Sequence, residues 1–394
     1  MRSIVQVADY SPNYSGNFIA SLRTAAEKYR TRGLKPVWVF PEEARRRTWL
    51  EELARDPQAS VYILPRRRSG HIRYAWELAE ILRRENSAIV HTHFSRFDIA
   101  AWLAKAIRGL AGQHVELIWH GHSAFAPRPS RTRLALDAVK LGLLGRTCHV
   151  VPVSEAVYSA MEQKGCPRER MQVIHNGIDT EHCLLRSRSR EQVRRDLGVP
   201  EDALLLLGLG WEPVRKGVDT MLEALDRIRG EGKNAILVLV GTDGRLQRFV
   251  DQWPGRPVIS SVKVIPAVEH VGELFGAADV FISASRAEGF PYSVAEAMVN
   301  GVPIASTRIP SVAWAFNAPG VYFFQPENSR ELAEIVERIA SRSAEERRLD
   351  GESGNFVRER YSVEKWAQSV MQLYESLLRE TSAGNARAVN RVTT

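Results

Sequence analysis

The sequence predicts an α/β protein with two domains of similar size, each built on a parallel sheet. Short β-branched runs alternate with helical patterns, which is typical of βαβ units. The alternation stops in a polar, charged stretch at 184–203 and then restarts. The chain has 394 residues, which is too long for one ordinary core, and two domains of about 150–200 residues each are the default.

The predicted elements follow one another in a regular order. The strands expected in the first half are SIVQVAD, KPVWVF, SVYILP, AIVHTHF, VELIWHGH, HVVPVS and MQVIHNG, and the helices are NFIASLRTAAEKYRTRG, AWELAEILRRE and DIAAWLAKAIRGLAG. The strands expected in the second half are LLLLGLG, NAILVLVG, VKVIPA, DVFISAS and PIAST, and the helices are VDTMLEALDRIRG, VGELFGAA and SVAEAMVNG.

The domain limits follow from this restart. We expect a first domain at 1–183, a second at 184–361, a C-terminal helix at 362–380 and a disordered tail at 381–394. The helix is predicted because apolar residues recur on one face, namely Trp366, Val370, Leu373 and Leu377. The tail lacks aromatic residues, as disordered segments do.

The positive charge of the chain is concentrated in its first half. The formal net charge is +8, and residues 1–150 contain 24 Lys or Arg against 13 Asp or Glu. Such a basic half suits nucleic acid, an anionic membrane surface or a phosphorylated substrate. Its basic clusters, 45–47 and 66–68, are arginine runs without interleaved aromatic residues, so no nucleic-acid partner is expected.

The apolar runs and the cysteines of the sequence bear on where the protein is found in the cell and on whether it binds zinc. No apolar run reaches the roughly 18 residues that span a bilayer, and the short apolar start before Asp9 is typical of a first strand, not of a signal peptide. The cysteines lie far apart and form no C-x-x-C pair. We therefore expect a reduced, cytoplasmic protein without a zinc site.

Two glutamates eight positions apart, Glu288 and Glu296, bracket a loop and the start of a predicted helix. Ligands of parallel α/β sheets bind at such loops, and a helix N-terminus suits phosphate. A carboxylate can accept both hydrogens of a vicinal diol, so the pair suits a nucleotide sugar. The structural alternative is that Ser293 caps the helix, Glu296 completes a capping box and Glu288 is a solvated loop acid.

The spacing of these acids, E-x7-E, resembles the signature of retaining glycosyltransferases of the GT4 type, which have the GT-B fold. Other stretches agree with that family in order and spacing: YSPNYSGNF, VHTHF, IWHGH, VIHNGID, VRKGVDTMLEAL and EGFPYSVAEAMVNGVPIAS. Together they cover about 300 residues. The resemblance implies a GT-B architecture, in which two Rossmann-like domains face each other across a cleft and the last helix crosses back to the N-terminal domain.

The resemblance also implies roles for individual residues. His120 and Glu288 would be catalytic, with His120 near the transferred sugar and the acceptor and Glu288 in contact with the sugar. Glu296 would bind the ribose, and backbone N–H groups at the helix start would face sugar and phosphate. The expected donor-binding residues are Gly16, Arg215, Lys216, Gly289, Phe290, Pro291, Tyr292, Ser293, Val294 and Glu296.

Arg215 and Lys216 precede a predicted helix, where two cations could neutralise a diphosphate. The family usually has Gly-Arg at the start of this loop and Lys-Gly five residues later. Lys216-Gly217 fills the second slot, but Trp211 occupies the arginine slot. Either Arg215 substitutes for the arginine or one phosphate contact is missing. The structural alternative is an ordinary exposed basic pair.

Gly16 and the histidines could have a structural role instead of a role in ligand binding. Gly16 would let the backbone approach a ligand, but a plain turn would use it equally well. A strand-end histidine such as His120 is often structural. His91 and His93 lie two residues apart and so on one face of a strand, where they could simply pack into the core. They do not predict a zinc site, because no third and fourth ligand appears at a suitable spacing.

The expected function is retaining transfer of a hexose-type sugar from a nucleoside diphosphate sugar to an acceptor hydroxyl. UDP is the expected nucleotide, the reaction would need no metal or other cofactor, and it would serve synthesis of cell-surface polysaccharide or glycolipid. The alternatives are a sugar-nucleotide isomerase of the same fold and a non-catalytic basic binding protein.

The segment 127–147 bears on the acceptor because it combines basic residues with one apolar helical face. The residues concerned are Arg128, Arg131, Arg133, Leu136, Val139 and Leu143. This combination suits an anionic membrane surface, so we expect a protein peripheral to the inner membrane face and a lipid-linked or anionic acceptor. The structural alternative is that the leucines pack into the core and the arginines are solvated.

Overall fold

The computed structural model describes residues 1–65, 70–122, 131–241, 244–254, 256–268, 270–343 and 351–392. Contacts divide the chain into two units. Unit 1 comprises Met1–Gly177 and Val363–Thr394, and unit 2 comprises Ile178–Ser362. The limits of the two units lie a few residues from the expected domain limits, 183/184 and 361/362. That each expected domain folds independently stays a prediction.

Unit 1 contains a parallel sheet of six strands in the order β3-β2-β1-β4-β5-β6. The strands are β1 (Ser3–Ala8), β2 (Lys35–Pro41), β3 (Ser60–Leu64), β4 (Ser87–His93), β5 (Glu116–Gly121) and β6 (His149–Pro152). The order reverses between β1 and β4, which is the switch point where ligands of such sheets bind. Both of these strands are buried along their whole length, because helices cover both faces of a parallel sheet.

The helices of unit 1 follow its strands. They are α1 (Gly16–Arg30), α2 (Thr48–Ala54), α3 (Gly70–Arg84), α4 (Asp98–Leu110), α5 (Arg131–Ala138) and α6 (Glu155–Glu162), with a π-helical turn at Val139–Leu143 and 3-10 turns at Glu42–Ala44, Leu144–Thr147 and Arg168–Arg170. The C-terminal helix, Val363–Val392, packs against α1. Its apolar face lies in the core of unit 1 and includes Trp366, Val370, Leu373 and Leu377.

Unit 2 repeats this topology in a second parallel sheet, ordered β12-β11-β10-β7-β8-β9. The strands are β7 (Leu204–Leu209), β8 (Ala235–Gly241), β9 (Val262–Pro266), β10 (Val280–Ser283), β11 (Ile304–Thr307) and β12 (Val321–Phe324). The helices are α7 (Thr180–Cys183), α8 (Arg190–Asp196), α9 (Val218–Gly230), α10 (Arg245–Asp251), α11 (Arg256–Ile259), α12 (Val271–Ala277), α13 (Tyr292–Val299), α14 (Ser329–Ala340) and α15 (Glu352–Tyr361), with a 3-10 turn at Pro310–Ala315. The predicted fold class of two Rossmann-like sheets is therefore confirmed.

Two strands and the C-terminal helix differ from the expectation, and helices including α2, α6, α8 and α14 were not predicted. The run MQVIHNG forms only a single bridge, from Met171 to Val150, and is not a strand of the sheet. Strand β12 was not predicted. The C-terminal helix continues to Val392, past the expected end at 380, since extending a helix is much easier than starting one. Within the described ranges, no helix is both long and apolar enough to cross a membrane.

Candidate functional site

In unit 2, a basic loop after β7 is held against the end of β10. Gly217 is the N-cap of α9. Its φ is +65°, and a Cβ atom there would lie 2.1 Å from the carbonyl oxygen of Ala284. Only glycine satisfies both conditions. The close approach brings Lys216, the preceding residue, next to Glu288.

Glu288 is the centre of a buried ion-pair cluster. Lys216 Nζ lies 2.5 Å from Glu288 Oε1, and Arg215 Nη1 lies 3.2 Å from Glu288 Oε2. Ser285 Oγ donates a hydrogen bond to Oε1 at 2.7 Å. Because Lys216 and Glu288 are only 4% and 9% exposed, the alternatives of a solvated acid at Glu288 and an exposed lysine at Lys216 are wrong.

The charges of this cluster are set by burial and pairing together. Burial alone would raise the pKa of Glu288, but the charges of Lys216 and Arg215 outweigh it and hold that pKa below its ordinary value. Burial lowers the pKa of Lys216, although Glu288 opposes the shift. On the outer side, the more exposed Glu212 also pairs with Arg215. Two cations therefore meet Glu288, and Glu212 balances the second of them.

Trp211, which stands where the family usually has arginine, packs on Lys216. The ammonium nitrogen lies 4.1 Å from the centre of the Trp211 ring, which is a cation–π distance. Arg215 donates a hydrogen bond to the carbonyl oxygen of Ala287 at 3.0 Å. Trp211 therefore supports Lys216 from one side, and Arg215 is held beside Glu288.

Helix α13 begins without a side-chain cap. Its N-cap is Pro291 and its first residue is Tyr292. The expected capping box is therefore wrong, because Ser293 lies inside the helix and a proline N-cap has no N–H for Glu296 to bind. Glu296 is half-buried, one turn into the helix. Burial and, after it, the charge of Glu296 raise the pKa of Tyr292.

The stretch from 289 to 294 turns from the carboxyl end of β10 into α13. Phe290 is buried, and its ring stacks on Trp314 with 4.8 Å between ring centres. Val294 is fully buried as well. These side chains belong to the core, so a donor would meet the backbone here, as at other helix N-termini. Donor binding stays a prediction for Gly289, Phe290, Pro291, Tyr292, Ser293 and Val294.

The other two predicted site residues, Gly16 and His120, lie in unit 1. Gly16 has a φ of +57°, and a Cβ atom there would lie 3.2 Å from the Tyr10 hydroxyl oxygen, so the turn into α1 is tight. Two residues later, the Phe18 ring lies 5.6 Å from the ring of His122, centre to centre. Gly16 and the histidines therefore border the same end of the unit 1 sheet.

His120 belongs to a cluster of four histidines on the adjacent strands β4 and β5 and just after them, namely His91, His93, His120 and His122. His91 Nε2 lies 3.2 Å from His120 Nδ1, and His93 Nδ1 lies 2.9 Å from His122 Nε2. His122 was not among the expected residues. The period-two spacing of two histidine pairs in neighbouring strands is the signal that could have indicated it.

Three partners of the histidines were also missed. The Tyr374 hydroxyl lies 2.6 Å from His91 Nδ1, and Gln6 Oε1 lies 2.7 Å from His93 Nε2. The Asn176 side chain lies within hydrogen-bonding reach of His122. Tyr374 comes from the C-terminal helix, 283 positions from His91. No local pattern in the sequence connects residues that far apart.

The four imidazoles are neutral near pH 7. Burial lowers the pKa of His91 and His122 to about 3, and it lowers the pKa of His93 and His120 well below 6.5. Ring nitrogens of His91, His93 and His120 lie within 4.8 Å of one another, close enough for a metal ion. The rings are instead joined by hydrogen bonds through nitrogens that a metal would need. The absence of a metal site stays a prediction.

Comparisons with known proteins agree with this architecture. The family model described as glycosyl transferases group 1 matches residues 189–355, and the model described as Glycosyltransferase Family 4 matches residues 20–182. The N-acetyl-alpha-D-glucosaminyl L-malate synthase of Bacillus anthracis is 22% identical over 316 residues, which are 79% of this chain and 80% of that protein.

Two further relatives match a smaller part of the chain. The O-antigen biosynthesis glycosyltransferase WclY of Escherichia coli is 22% identical over 54% of this chain and 58% of its own. The lipopolysaccharide glucosyltransferase WaaG of Escherichia coli K12 is 29% identical over 44% of this chain and 48% of its own. For these two, the match spans about half the length of the relative.

Solved structures match the fold over nearly the whole chain. Anabaena Alr3699/HepE, in complex with UDP-glucose, has a TM-score of 0.79 at 18% identity and covers 95% of this chain and 100% of its own. A glycosyltransferase from Rickettsia africae has a TM-score of 0.78 at 18% identity and covers 96% of this chain and 98% of its own. At this identity the likeness concerns the fold.

Proposed function

The chain belongs to the GT4-type glycosyltransferases with the GT-B fold, and on that premise we propose that it is a retaining enzyme. It would move a hexose-type sugar from a nucleoside diphosphate sugar, with UDP as the expected nucleotide, to an acceptor hydroxyl. The observation that carries the proposal is the buried cluster of Arg215, Lys216 and Glu288 beside the start of α9. Buried, paired charges are preorganised to oppose charge that develops during reaction.

The cluster would serve the donor in two ways. The bond from the sugar C1 to the phosphate oxygen breaks, and Lys216 and Arg215 stabilise the negative charge that grows on the leaving diphosphate. Glu288, held ionised by its partners, accepts hydrogens from sugar hydroxyls, as Glu296 does from the ribose. The acceptor oxygen bonds to C1 on the same face, and its proton passes to the leaving phosphate. Glu288 is then an orienting residue and not a nucleophile.

The relatives support the choice of donor and acceptor. One structural neighbour was solved with UDP-glucose, and two relatives are named for O-antigen and lipopolysaccharide synthesis. We therefore propose an acceptor of cell-surface polysaccharide or glycolipid type. No metal or other cofactor is needed in this scheme, because Arg215 and Lys216 supply the positive charge at the diphosphate.

The donor class is tested by thermal unfolding of the purified protein with UDP-, GDP- and ADP-sugars, followed by transfer assays. We expect stabilisation by UDP-sugars, and product with the donor's anomeric configuration only when an acceptor is added. Conversion of the donor without an acceptor would favour the isomerase alternative. Absence of stabilisation by every sugar nucleotide would favour a non-catalytic binding protein.

Glu296 provides the sharpest test within the site. Glu296→Ala should weaken donor binding by about 1–3 kcal/mol, the cost of leaving a diol contact unpaired, without lowering the unfolding temperature of the free protein. Glu223→Ala is the matched control, because Glu223 lies on the exposed side of α9. Equal donor affinities of wild type and Glu296→Ala, measured by calorimetry, would refute the assigned role.

A specific observation also favours the membrane surface as the place of action. Leu136, Val139 and Leu143 are 62%, 54% and 63% exposed, so the alternative that these residues pack into the core is wrong. Arg146, at the end of the same segment, is exposed. Apolar side chains beside basic ones suit an anionic bilayer. Arg128 lies outside the described residues.

Sedimentation with lipid vesicles tests this part of the proposal. The protein should pellet with vesicles that contain anionic lipid and less so as salt rises, because screening shortens the Debye length to about 8 Å at physiological salt. The triple variant Leu136→Ser, Val139→Ser, Leu143→Ser should lose binding, whereas Leu110→Ser, at a 93% exposed leucine elsewhere in unit 1, should not. Failure of wild type to bind anionic vesicles at low salt would leave a soluble acceptor as the better proposal.

A further inference from the structure

We propose that Tyr374, on the C-terminal helix, is a positioning residue that fixes the tautomer of His120, so that His120 offers an N–H donor at Nε2. The same network, through Gln6, makes His122 an acceptor at Nδ1. The two histidines would then bind one neutral hydroxyl group of the substrate between them. The inference deepens the proposed glycosyl transfer and rests on it for the identity of the substrate.

The first line of hydrogen bonds runs from Tyr374 through His91 to His120. A phenol hydroxyl is a stronger donor than an imidazole N–H, and an imidazole nitrogen is a stronger acceptor than a phenol oxygen. In the 2.6 Å contact, the Tyr374 hydroxyl therefore donates to His91 Nδ1. The neutral His91 ring then carries its proton on Nε2 and donates to His120 Nδ1 at 3.2 Å. The two rings are only 8° from parallel. The proton of His120 must therefore lie on Nε2.

The second line runs from Gln6 through His93 to His122. Both amide hydrogens of Gln6 are used, by Tyr29 at 2.6 Å and by Tyr374 at 2.8 Å. Gln6 Oε1 therefore accepts from His93 Nε2–H at 2.7 Å. His93 Nδ1 then accepts from His122 Nε2–H at 2.9 Å. This leaves a lone pair on His122 Nδ1.

In the part of the chain that the structure describes, the two lines end in polar ring nitrogens, one of which, on His122, lies near Asn176. Among the described residues, His120 Nε2, His122 Nδ1 and the neighbouring Asn176 Oδ1 are buried and have no hydrogen-bond partner. Buried polar atoms are normally satisfied. Because Asn176 and His122 also lie within hydrogen-bonding reach of each other, His120 Nε2 is the atom that most clearly indicates a ligand. The rings of His120 and His122 lie 4.3 Å apart, centre to centre.

The ligand class follows from the opposite character of the two ends. One nitrogen donates and the other accepts, which matches a hydroxyl group, because a hydroxyl can do both. A metal ion would need a lone pair on each nitrogen. A phosphate would find a single donor and no positive charge, since all four rings are neutral. The end of the network therefore fits an uncharged sugar hydroxyl.

Nitrogen-15 spectroscopy of the histidine rings tests the tautomers without any assay of activity. In wild type, assigned with His120→Gln and His122→Gln, both rings should show a protonated Nε2 and an unprotonated Nδ1. A proton on Nδ1 of His120 would overturn the first line, and a proton on Nδ1 of His122 would overturn the second. This measurement needs no variant of Tyr374, so it decides the matter even where such a variant does not fold.

Tyr374→Phe tests the positioning role. We expect the His120 resonances to show a mixture of tautomers and kcat to fall about 10-fold to 100-fold with little change in KM for the donor. Tyr62→Phe is the matched control, because it removes a half-buried hydroxyl of unit 1 that bonds to Glu85 at 2.7 Å instead of to the residues of either line. It should leave both the His120 tautomer and kcat as in wild type.

The outcomes separate this inference from the proposed function. Unchanged His120 resonances and unchanged kcat in Tyr374→Phe would refute the positioning role while transfer by wild type stands. Equal losses in Tyr62→Phe and Tyr374→Phe would also refute it, since the effect would then be general loss of structure. If wild type transfers no sugar, the proposed function fails, and the tautomers are still decided by the spectra.

Discussion

Lowering the pH should destabilise unit 1 through its buried histidines. The pKa of His91 is lowered from 6.5 to about 3 by burial and by the neighbouring His122. The unfolded chain therefore binds a proton between these values that the folded chain does not. Stability from this group is complete above about pH 6.5 and is lost as the pH falls below it.

The magnitude can be worked out for one ring. Between about pH 7.5 and about pH 5.5, an unfolded histidine takes up most of one proton while folded His91 takes up almost none, which costs roughly 1.3 kcal/mol. His122, with a pKa of about 3, adds a similar amount. His93 and His120 are shifted in the same direction. His91 and His122 together should therefore cost roughly 2.6 kcal/mol of unfolding free energy, a sizeable part of the stability of a typical domain.

Urea unfolding at the two pH values measures this cost. His91→Gln can keep hydrogen bonds to Tyr374 and His120 but cannot take up the proton, so its loss of stability between the two pH values should be roughly 1.3 kcal/mol smaller than that of wild type. The control is His71→Gln, at an exposed histidine of α3, which should lose as much as wild type. Identical losses in His91→Gln and wild type would show that His91 does not remain neutral in the folded state.

Three further outcomes are expected. Lys216→Ala should lower kcat more than it raises KM, because charge on the diphosphate grows in the transition state; a variant with kcat intact and only KM raised would contradict this. Gly217→Ala should destabilise unit 2 by at least about 2 kcal/mol in urea unfolding, because the new Cβ atom would lie 2.1 Å from the Ala284 oxygen. The control Gly230→Ala should be neutral or stabilising, because a Cβ atom there would have no neighbour within 4 Å. Activity should survive EDTA, and dependence on a divalent ion would count against the proposed chemistry.

Local patterns were sufficient for most of the fold. Parallel strands buried on both faces appear as short apolar runs, and their carboxyl ends identify where ligands bind. Loops with special requirements also leave a local mark: Gly217 combines a positive φ with a close approach to Ala284, so glycine is required next to Lys216. The cap of α13 was expected at Ser293, but the observed N-cap is Pro291, two residues earlier, and Ser293 lies within the helix.

Only the tertiary structure shows which residues that are distant in the sequence are in contact. Lys216 and Glu288 are 72 positions apart, and Tyr374 and His91 are 283 apart. A one-dimensional pattern records periodicity and turn chemistry over a few residues, but it does not record which side chains meet when loops close and helices pack. The sequence by itself therefore determined two parallel-sheet domains, the E-x7-E loop and the basic pair before α9. Packing decided that Glu288 is buried between two cations, that Leu136 and Leu143 are exposed, and that the C-terminal helix reaches the histidines of β4.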